Sequence, residues 1–232
     1  VLRILDRFDP EPGQDLVLNL DSTLQRVATE ALGDQRGAVV AMDPATGGVL
    51  ALVSTPVFDG NLFVNGISSR DYSALRDSPD VPLFNRAVQG QYPPGSTIKP
   101  LMGVAGLESG LVTPESTVPD PGWYRLPGDT RRYRDWILRI RGTGHAPEVD
   151  LHMALAESCD VYFYDLARRL TVDRMHEYLA PFGLGARTGI DTTNERPGVL
   201  PSSDWKRKTL GQPWYPGETL SVGIGQGYML AT

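Results

Sequence analysis

Residues 92–100 read Tyr-Pro-Pro-Gly-Ser-Thr-Ile-Lys-Pro, which places a serine and a lysine three positions apart at the start of an apolar segment. The segment from Ser96 to Leu107 has helical spacing, so Ser96 and Lys99 lie on one face, one turn apart. A serine hydroxyl needs a neighbouring base to act as a nucleophile. A lysine amine among apolar groups can act as this base, because burial disfavours its charged form. The stretch indicates a buried helix that begins at a nucleophile, where free backbone N–H groups can stabilise an oxyanion.

The spacing alone is weak evidence, because Ser and Lys are common enough for roughly one such pair to occur by chance in a chain of this length. A second pair, Ser203 and Lys206, follows Pro201-Ser202 and is interpreted as an ordinary helix cap. The first pair differs in that Pro-Pro-Gly fixes the backbone before it. From the residues alone, Ser96 is either a catalytic nucleophile or a plain N-cap, and both interpretations stay open.

The segments around this stretch predict a mixed α/β or α+β domain. Two apolar runs, residues 37–42 and 49–54, flank a Pro-Gly turn and predict a hairpin. Because both runs are apolar throughout, we expect them in the centre of a sheet covered by helices on both faces. Helices are predicted over residues 21–32, 71–76, 96–107, 150–158, 161–170, 172–181 and 203–208, and residues 228–232 predict the opening of another.

Composition supports a folded domain and argues against nucleic acid as a partner. Hydrophobic residues make up 41% of the 232 residues, and the net charge is −6. The densest basic stretch, residues 131–141, is interrupted by Asp135 and Trp136 and is interpreted as a solvated loop. The single cysteine, Cys159, rules out an intrachain disulfide and leaves the compartment open.

Several motifs, in order along the chain, resemble those of class B penicillin-binding proteins, above all the elongation-type members. They are residues 37–54 (first core strands), 92–100 (nucleophile), 157–164 (second active-site motif), and 214–218 and 222–228 (approach to the last core helix). The resemblance implies the penicillin-binding and serine β-lactamase-like transpeptidase fold, a central antiparallel sheet flanked by helices. It assigns residues 15–232 to this domain and residues 1–14 to the tail of a preceding non-catalytic pedestal domain.

The resemblance also implies an activity, that of a peptidoglycan D,D-transpeptidase that needs no cofactor. Ser96 would attack the D-Ala–D-Ala carbonyl of a stem peptide, with Lys99 as the base and Ser158 as the proton shuttle to the leaving amine. β-Lactams, which resemble D-Ala–D-Ala, would trap Ser96. The second motif usually ends in Asn, and here it ends in Asp160, whose expected role is to orient Lys99 electrostatically.

The sequence departs from the family pattern once more, because the third motif, Lys-Thr-Gly, is absent. Residues 208–210 read Lys-Thr-Leu and stand on the wrong side of the glycine-rich stretch. In the family the true motif lies beyond the point where this chain ends. We therefore expect a transpeptidase domain incomplete at the C-terminus, lacking one strand of the cleft and one oxyanion-hole N–H.

Four residues near the second motif form a candidate metal site: Asp120, Asp135, His145 and Cys159. Thiolate, imidazole and carboxylate are an acceptable tetrahedral set for zinc. A structural zinc would hold a loop that has few apolar residues. The alternative is that Cys159 is a small buried hydrophobic residue, because the four positions lack paired spacing.

Three functions remain open. The first is the transpeptidase of cell elongation, which by resemblance carries an N-terminal membrane anchor, acts on the periplasmic side of the bacterial inner membrane, and works with a membrane glycan polymerase and a scaffold protein. The second is a serine β-lactamase or β-lactam sensor, which shares the first motif. The third is a catalytically inactive fragment that acts as a scaffold.

Overall fold

The structure, a computed structural model, describes residues 11–232. Their contacts divide them into two units, the first ending at Ala87 and the second running from Val88 to Thr232. Residues 1–10, most of the predicted tail of a preceding domain, lie outside the described residues. The first unit contains α1 (Ser22–Leu32), β1 (Gly37–Met42), β2 (Val49–Thr55) and α2 (Ser69–Arg76), and α3 (Arg86–Gln89) follows at the boundary.

The predicted hairpin is confirmed, with β1 antiparallel to β2. Gln25 of α1 exchanges two hydrogen bonds of 2.8 Å with the Leu52 backbone, so the helix covers the second strand and its outer edge. The prediction of burial on both faces is wrong for β1, where Val40 and Met42 are 47% and 55% exposed. The reason is that α1 packs mainly against β2 and leaves alternate residues of β1 open.

The second unit is mostly helical. Its elements are α4 (Lys99–Glu108), β3 (Val118–Pro119), β4 (Trp123–Tyr124), β5 (Tyr133–Arg134), α5 (Leu138–Arg141), β6 (Glu148–Val149), α6 (Leu151–Ala156), α7 (Asp160–Leu170), α8 (Val172–Leu179), α9 (Ser203–Leu210) and α10 (Pro216–Gly223). Over residues 11–232 the strands form three two-stranded antiparallel sheets, β1–β2, β3–β6 and β4–β5. The seven helices predicted between residues 21 and 208 are found within a few residues of their expected bounds, and α3, α5 and α10 are additions.

Helix α7 is the centre of the core. Seven of its eleven residues are buried, and it packs against α4, α8 and α10. The approach to α10 is close, because a Cβ on Gly223 would lie 2.3 Å from the Ala167 Cβ. Each large apolar side chain buried here, such as Phe163, stabilises the fold by roughly 1.5–3 kcal/mol. This packing fixes both ends of α7 and thereby the second motif at its start.

The last residues are extended and do not open a helix, so that prediction is wrong. Ala231 exchanges two backbone hydrogen bonds of 2.8 Å with Tyr92, and Leu230 forms a similar bridge with Val199. These partners take up the backbone groups that a helix would have paired internally. Among the described residues, no helix combines the length and apolar character that crossing a membrane requires.

Candidate active site

The nucleophile motif folds as a tight turn in front of a helix. Residues Gly95–Ile98 form one 3-10 turn, and α4 begins at Lys99. The Thr97 hydroxyl donates to the Pro94 carbonyl over 2.7 Å, which closes the turn. Ser96 is exposed on this turn and precedes α4 by three residues, whereas the sequence predicted that the helix begins at Ser96 itself.

Lys99 is buried, and its amine meets the second motif. Its Nζ lies 2.6 Å from Asp160 Oδ1, 3.1 Å from Ser158 Oγ and 2.8 Å from the Ser158 carbonyl. The side chain is 2% exposed. Within the described residues these polar contacts do not include Ser96 Oγ. The structure therefore brings Lys99, Ser158 and Asp160 together, while Ser96 stands one turn away on the same segment.

Ser158 is held in an unusual backbone conformation. Its φ is +54°, in the left-handed region that few residues other than glycine adopt. Such a conformation costs of order 1–3 kcal/mol and persists where the surroundings impose it. Here α6 ends at Ala156 and α7 begins at Asp160, so the strained residue turns the chain and directs both of its oxygens at Lys99. The Trp136 indole N–H donates to the same Ser158 carbonyl over 3.1 Å.

Asp160 lies in a low-dielectric site at the start of α7. Burial raises the pKa of its carboxyl, and the Lys99 ammonium opposes that change. Its backbone N–H donates to Asp135 Oδ2 over 2.6 Å. A carboxylate at this position accepts from Lys99 but has no amide N–H to offer a substrate.

A backbone clasp holds the nucleophile turn from below. Gly95 N–H donates to the Gly225 carbonyl over 2.9 Å, and the Tyr92–Ala231 bridge secures the preceding residues. Gly225 has φ +70°, and a Cβ there would lie 2.2 Å from the Gly95 oxygen. The glycine-rich stretch after α10 thus packs directly against the nucleophile turn and holds it through the Gly95–Gly225 hydrogen bond.

The four candidate metal ligands come together in a single buried cluster. One ligand atom from each of Asp120, Asp135, His145 and Cys159 lies within 4.8 Å of the others. His145 Nε2 is 3.2 Å from Asp135 Oδ1, and Cys159 Sγ is 3.6 Å from Asp120 Oδ2. Burial raises the pKa of the Cys159 thiol.

Neighbouring groups orient these ligands. The backbone N–H groups of His145 and Gly122 both donate to the Asp120 carboxylate over 2.7 Å, and His145 Nδ1 lies 3.0 Å from Glu157 Oε2. Sequence reasoning missed Glu157 in this role, and it missed Trp136 and Gly225 at the active site. These residues contact partners that are 12 to 130 positions away in the sequence, so their roles could not be predicted from neighbouring residues. Only the glycine-rich pattern around Gly225 indicated locally that a close backbone contact occurs there.

The second Ser-x-x-Lys pair, Ser203 and Lys206, lies in α9 and has structural contacts. Ser202, rather than Ser203, caps α9 by accepting from the Trp205 N–H over 3.0 Å. Lys206 is fully buried, 2.5 Å from Glu218 Oε1. Residues 208–210 form the last turn of the same helix.

Comparison with known proteins agrees with the motifs. Residues 37–232 match the family model of the penicillin-binding protein transpeptidase domain. The chain is 50% identical over all 232 residues to the peptidoglycan D,D-transpeptidase MrdA of Acinetobacter baumannii, and it spans 34% of that protein's length. The curated relatives it matches are thus about three times as long.

Solved structures show the same fold. Penicillin-binding protein 2 of Pseudomonas aeruginosa, in complex with WCK 5153, is 53% identical with a TM-score of 0.91 over 98% of this chain and 48% of that one. Penicillin-binding protein 2 of Helicobacter pylori, in a complex with MreC, is 37% identical with a TM-score of 0.85 over 92% of this chain and 38% of that one. The expected α/β (α+β) transpeptidase fold is confirmed. The chain belongs to the family of penicillin-binding protein transpeptidase domains.

Proposed function

We propose that this chain is the catalytic part of a peptidoglycan D,D-transpeptidase, in which Ser96 carries the acyl group. The observation that carries the proposal is the convergence of Lys99, Ser158 and Asp160 beside an exposed serine on a rigid turn. The similarity to MrdA supports the same activity. Nucleophile, base and proton shuttle are side chains, so this chemistry calls for no cofactor.

The first half-reaction forms an acyl-enzyme. Ser96 Oγ bonds to the carbonyl carbon of the penultimate D-Ala, and Lys99, as the base, takes the proton of the Ser96 hydroxyl. The C–N bond to the terminal D-Ala then breaks, and Ser158 donates its hydroxyl proton to the departing amine while it receives the proton that Lys99 took from Ser96. Backbone N–H groups at the nucleophile turn stabilise the oxyanion between these events.

The second half-reaction forms the cross-link. An amine of a neighbouring stem peptide attacks the ester carbonyl, loses a proton through the same groups, and restores the Ser96 hydroxyl. A β-lactam enters the first half-reaction but keeps its leaving amine tethered, so Ser96 stays acylated. Asp160 orients the Lys99 amine toward Ser158 throughout.

Covalent labelling tests the proposal. The intact mass of the chain after incubation with a fluorescent penicillin should rise by one penicillin mass, and Ser96→Ala should abolish the adduct. Ser203→Ala is the matched control, since it removes the serine of the second Ser-x-x-Lys pair, and it should retain the adduct. Labelling that survives Ser96→Ala would refute the assignment of the nucleophile.

The lifetime of the adduct separates the alternative functions. A transpeptidase domain or a β-lactam sensor keeps the acyl group, whereas a β-lactamase hydrolyses it and turns over penicillin. Exchange of the terminal D-Ala of a stem peptide for an added D-amino acid identifies the transpeptidase. A folded chain that forms no adduct at all would favour the scaffold interpretation.

We propose further that Asp120, Asp135, His145 and Cys159 hold a structural zinc ion. The donor set fits: one thiol, one imidazole and two carboxylates, buried, with ligand atoms within 4.8 Å of one another. Bound zinc would supply cross-linking of the loop to α7 and no step of the reaction. The zinc content of the purified chain, measured by native mass spectrometry, should be one per chain; it should fall in Asp120→Asn and persist in the surface control Asp34→Asn.

The relatives support a proposal for the cellular setting. We propose that the protein containing this chain acts at the periplasmic face of the bacterial inner membrane during cell elongation, with a membrane glycan polymerase and a scaffold protein of the MreC kind. The complex of the H. pylori relative with MreC supports the second partner. Co-elution with MreC from the same organism would test it, and separate elution of two folded proteins would count against it.

A further inference from the structure

Trp136 lies at the edge of the active site, where its indole N–H is bonded to the second motif. The side chain is 45% exposed, although its chain neighbours Asp135 and Ile137 are both buried. Its ring meets that of His145 edge to face, with centroids 5.7 Å apart, and its N–H donates to the Ser158 carbonyl over 3.1 Å. Tryptophan suits such a boundary because its ring is apolar and its N–H is polar. The indole N–H therefore has one defined partner, and that partner belongs to the active site.

Ser158 is held by few hydrogen bonds. Within residues 11–232, those that do not involve Lys99 are the one from Trp136 and a long one of 3.4 Å from the Ser158 N–H to the Leu155 carbonyl. The backbone of Ser158 is left-handed, with φ +54°, and such a conformation persists only where neighbouring groups impose it. Lys99 and Trp136 are thus the two side chains that hold this strained residue by hydrogen bonds.

The hydrogen bonds from Lys99 cannot all persist during the proposed reaction. An ammonium group has three donors, and the Lys99 amine makes three hydrogen bonds, two to Ser158 and one to Asp160. An amine that accepts the Ser96 proton needs a free lone pair and has two N–H groups left, so at least one of these bonds must break. The indole of Trp136 is a donor only, so its bond to Ser158 is not involved in the proton transfer.

The two donors share a single acceptor atom. The Ser158 carbonyl oxygen lies 2.8 Å from Lys99 Nζ and 3.1 Å from Trp136 Nε1. A carbonyl oxygen has two lone pairs, so it can keep the indole N–H when the amine turns toward Ser96. Without the indole, Ser158 would lose its remaining side-chain donor at the moment when its hydroxyl has to be in place.

We propose that Trp136 is a positioning residue, whose indole N–H holds the Ser158 carbonyl, and with it the Ser158 hydroxyl, while Lys99 changes its hydrogen-bond partners. The inference rests on the proposed function, in which Lys99 is the base and Ser158 protonates the departing amine. Trp136 acts only through Ser158. Loss of its N–H therefore slows the formation of the acyl-enzyme and leaves the preceding binding of penicillin unchanged.

The test separates these two steps by measuring adduct formation at a series of penicillin concentrations. Trp136→Phe removes the N–H and keeps an aromatic ring. Replacement of Trp136 by 3-benzothienylalanine, in which sulfur takes the place of the N–H, also keeps the size of the ring. Both changes should lower the first-order acylation rate constant about two- to tenfold, the equivalent of one net hydrogen bond. The dissociation constant of the non-covalent complex should stay the same.

Trp214→Phe is the matched control. It breaks an indole hydrogen bond of 2.8 Å to Thr219 Oγ1, which does not involve the second motif, and it should keep the acylation rate constant. An unchanged rate constant in the benzothienylalanine chain would overturn the inference, because that chain lacks only the donor. So would an equal loss in Trp214→Phe, which would indicate general destabilisation, or a change confined to the dissociation constant, which would indicate direct contact with penicillin.

Penicillin labelling of the unaltered chain is read separately. A folded chain that forms no adduct refutes the proposed function. An adduct that forms with the same rate constant in the unaltered chain and in both Trp136 variants refutes the positioning role alone.

Discussion

Gly225→Ala should slow acylation of Ser96 without touching any side chain of the active site. Gly225 has φ +70°, and its carbonyl accepts the Gly95 N–H that anchors the nucleophile turn. The new Cβ would lie 2.2 Å from the Gly95 oxygen and 2.7 Å from its nitrogen. One of the two segments must therefore move, and the turn that carries Ser96 is the one at the surface.

The magnitude follows from the geometry. Non-bonded contacts of a Cβ essentially never fall below 3.0 Å, so the segments must separate by at least about 0.8 Å. A misplacement near 1 Å can lower a catalysed rate about 10²-fold. The left-handed backbone adds about 1–2 kcal/mol of destabilisation for any residue with a Cβ.

The assay is the second-order rate constant for adduct formation with a fluorescent penicillin, measured beside urea unfolding. Gly211→Ala is the matched control, because Gly211 has φ +66° and no atom within 4 Å of its added Cβ. Gly211→Ala should lose about 1–2 kcal/mol of unfolding free energy, Gly225→Ala should lose more because of the overlap with Gly95, and only Gly225→Ala should lose acylation rate. Equal acylation rates in the two variants would refute the idea that the clasp positions Ser96.

Three further changes have defined outcomes. Lys99→Met should slow penicillin acylation by about 10²–10⁴-fold, through loss of the base; adding Asp160→Asn should recover stability in urea but not the rate, and recovery of the rate would show that Lys99 is not the base. Leu170→Ala, at a fully buried position in α7, should lower the unfolding free energy by about 2–5 kcal/mol, and a loss below 1 kcal/mol would contradict its place in the core. Hydrogen bonds from the Thr188 hydroxyl and backbone N–H hold the pKa of Glu195 below its ordinary value. The stability that these bonds give the folded chain is therefore complete at pH values above the ordinary carboxyl pKa, and it is lost as the pH falls through the lowered value. Amide exchange at Thr188 should therefore quicken in acid relative to Glu195→Gln, and parallel pH profiles would exclude this contact.

Local patterns in the sequence carried most of the secondary structure. The hairpin at residues 37–55 was predictable from its two apolar runs and the turn between them. The helices that begin after Asp21 and Asp150 were predictable because each has an N-cap residue and apolar residues at helical spacing. Helix α10 was not predicted, because two glycines in eight residues lower its helix propensity. It forms because Pro216 starts it, Glu218 caps it and α7 packs against it.

For the candidate site too, the sequence predicted which residues take part but not how they come together. The residue types of the nucleophile and second motifs, and the four-residue metal set, came from motif and resemblance. Their convergence depends on contacts such as Lys99 to Asp160, across 61 positions, that no local rule encodes. The extended chain end was mispredicted because its backbone partners, Tyr92 and Val199, are also distant in sequence.

Asp135 belongs to two sites at once. One oxygen lies 3.2 Å from His145 in the candidate metal cluster, and the other accepts the N–H groups of Asp160 and Val161 at the start of α7. A lineage could not replace Asp135 without disturbing the helix that presents Asp160. In an alignment of relatives, replacement of the residue at position 135 should therefore be accompanied by a change at position 160.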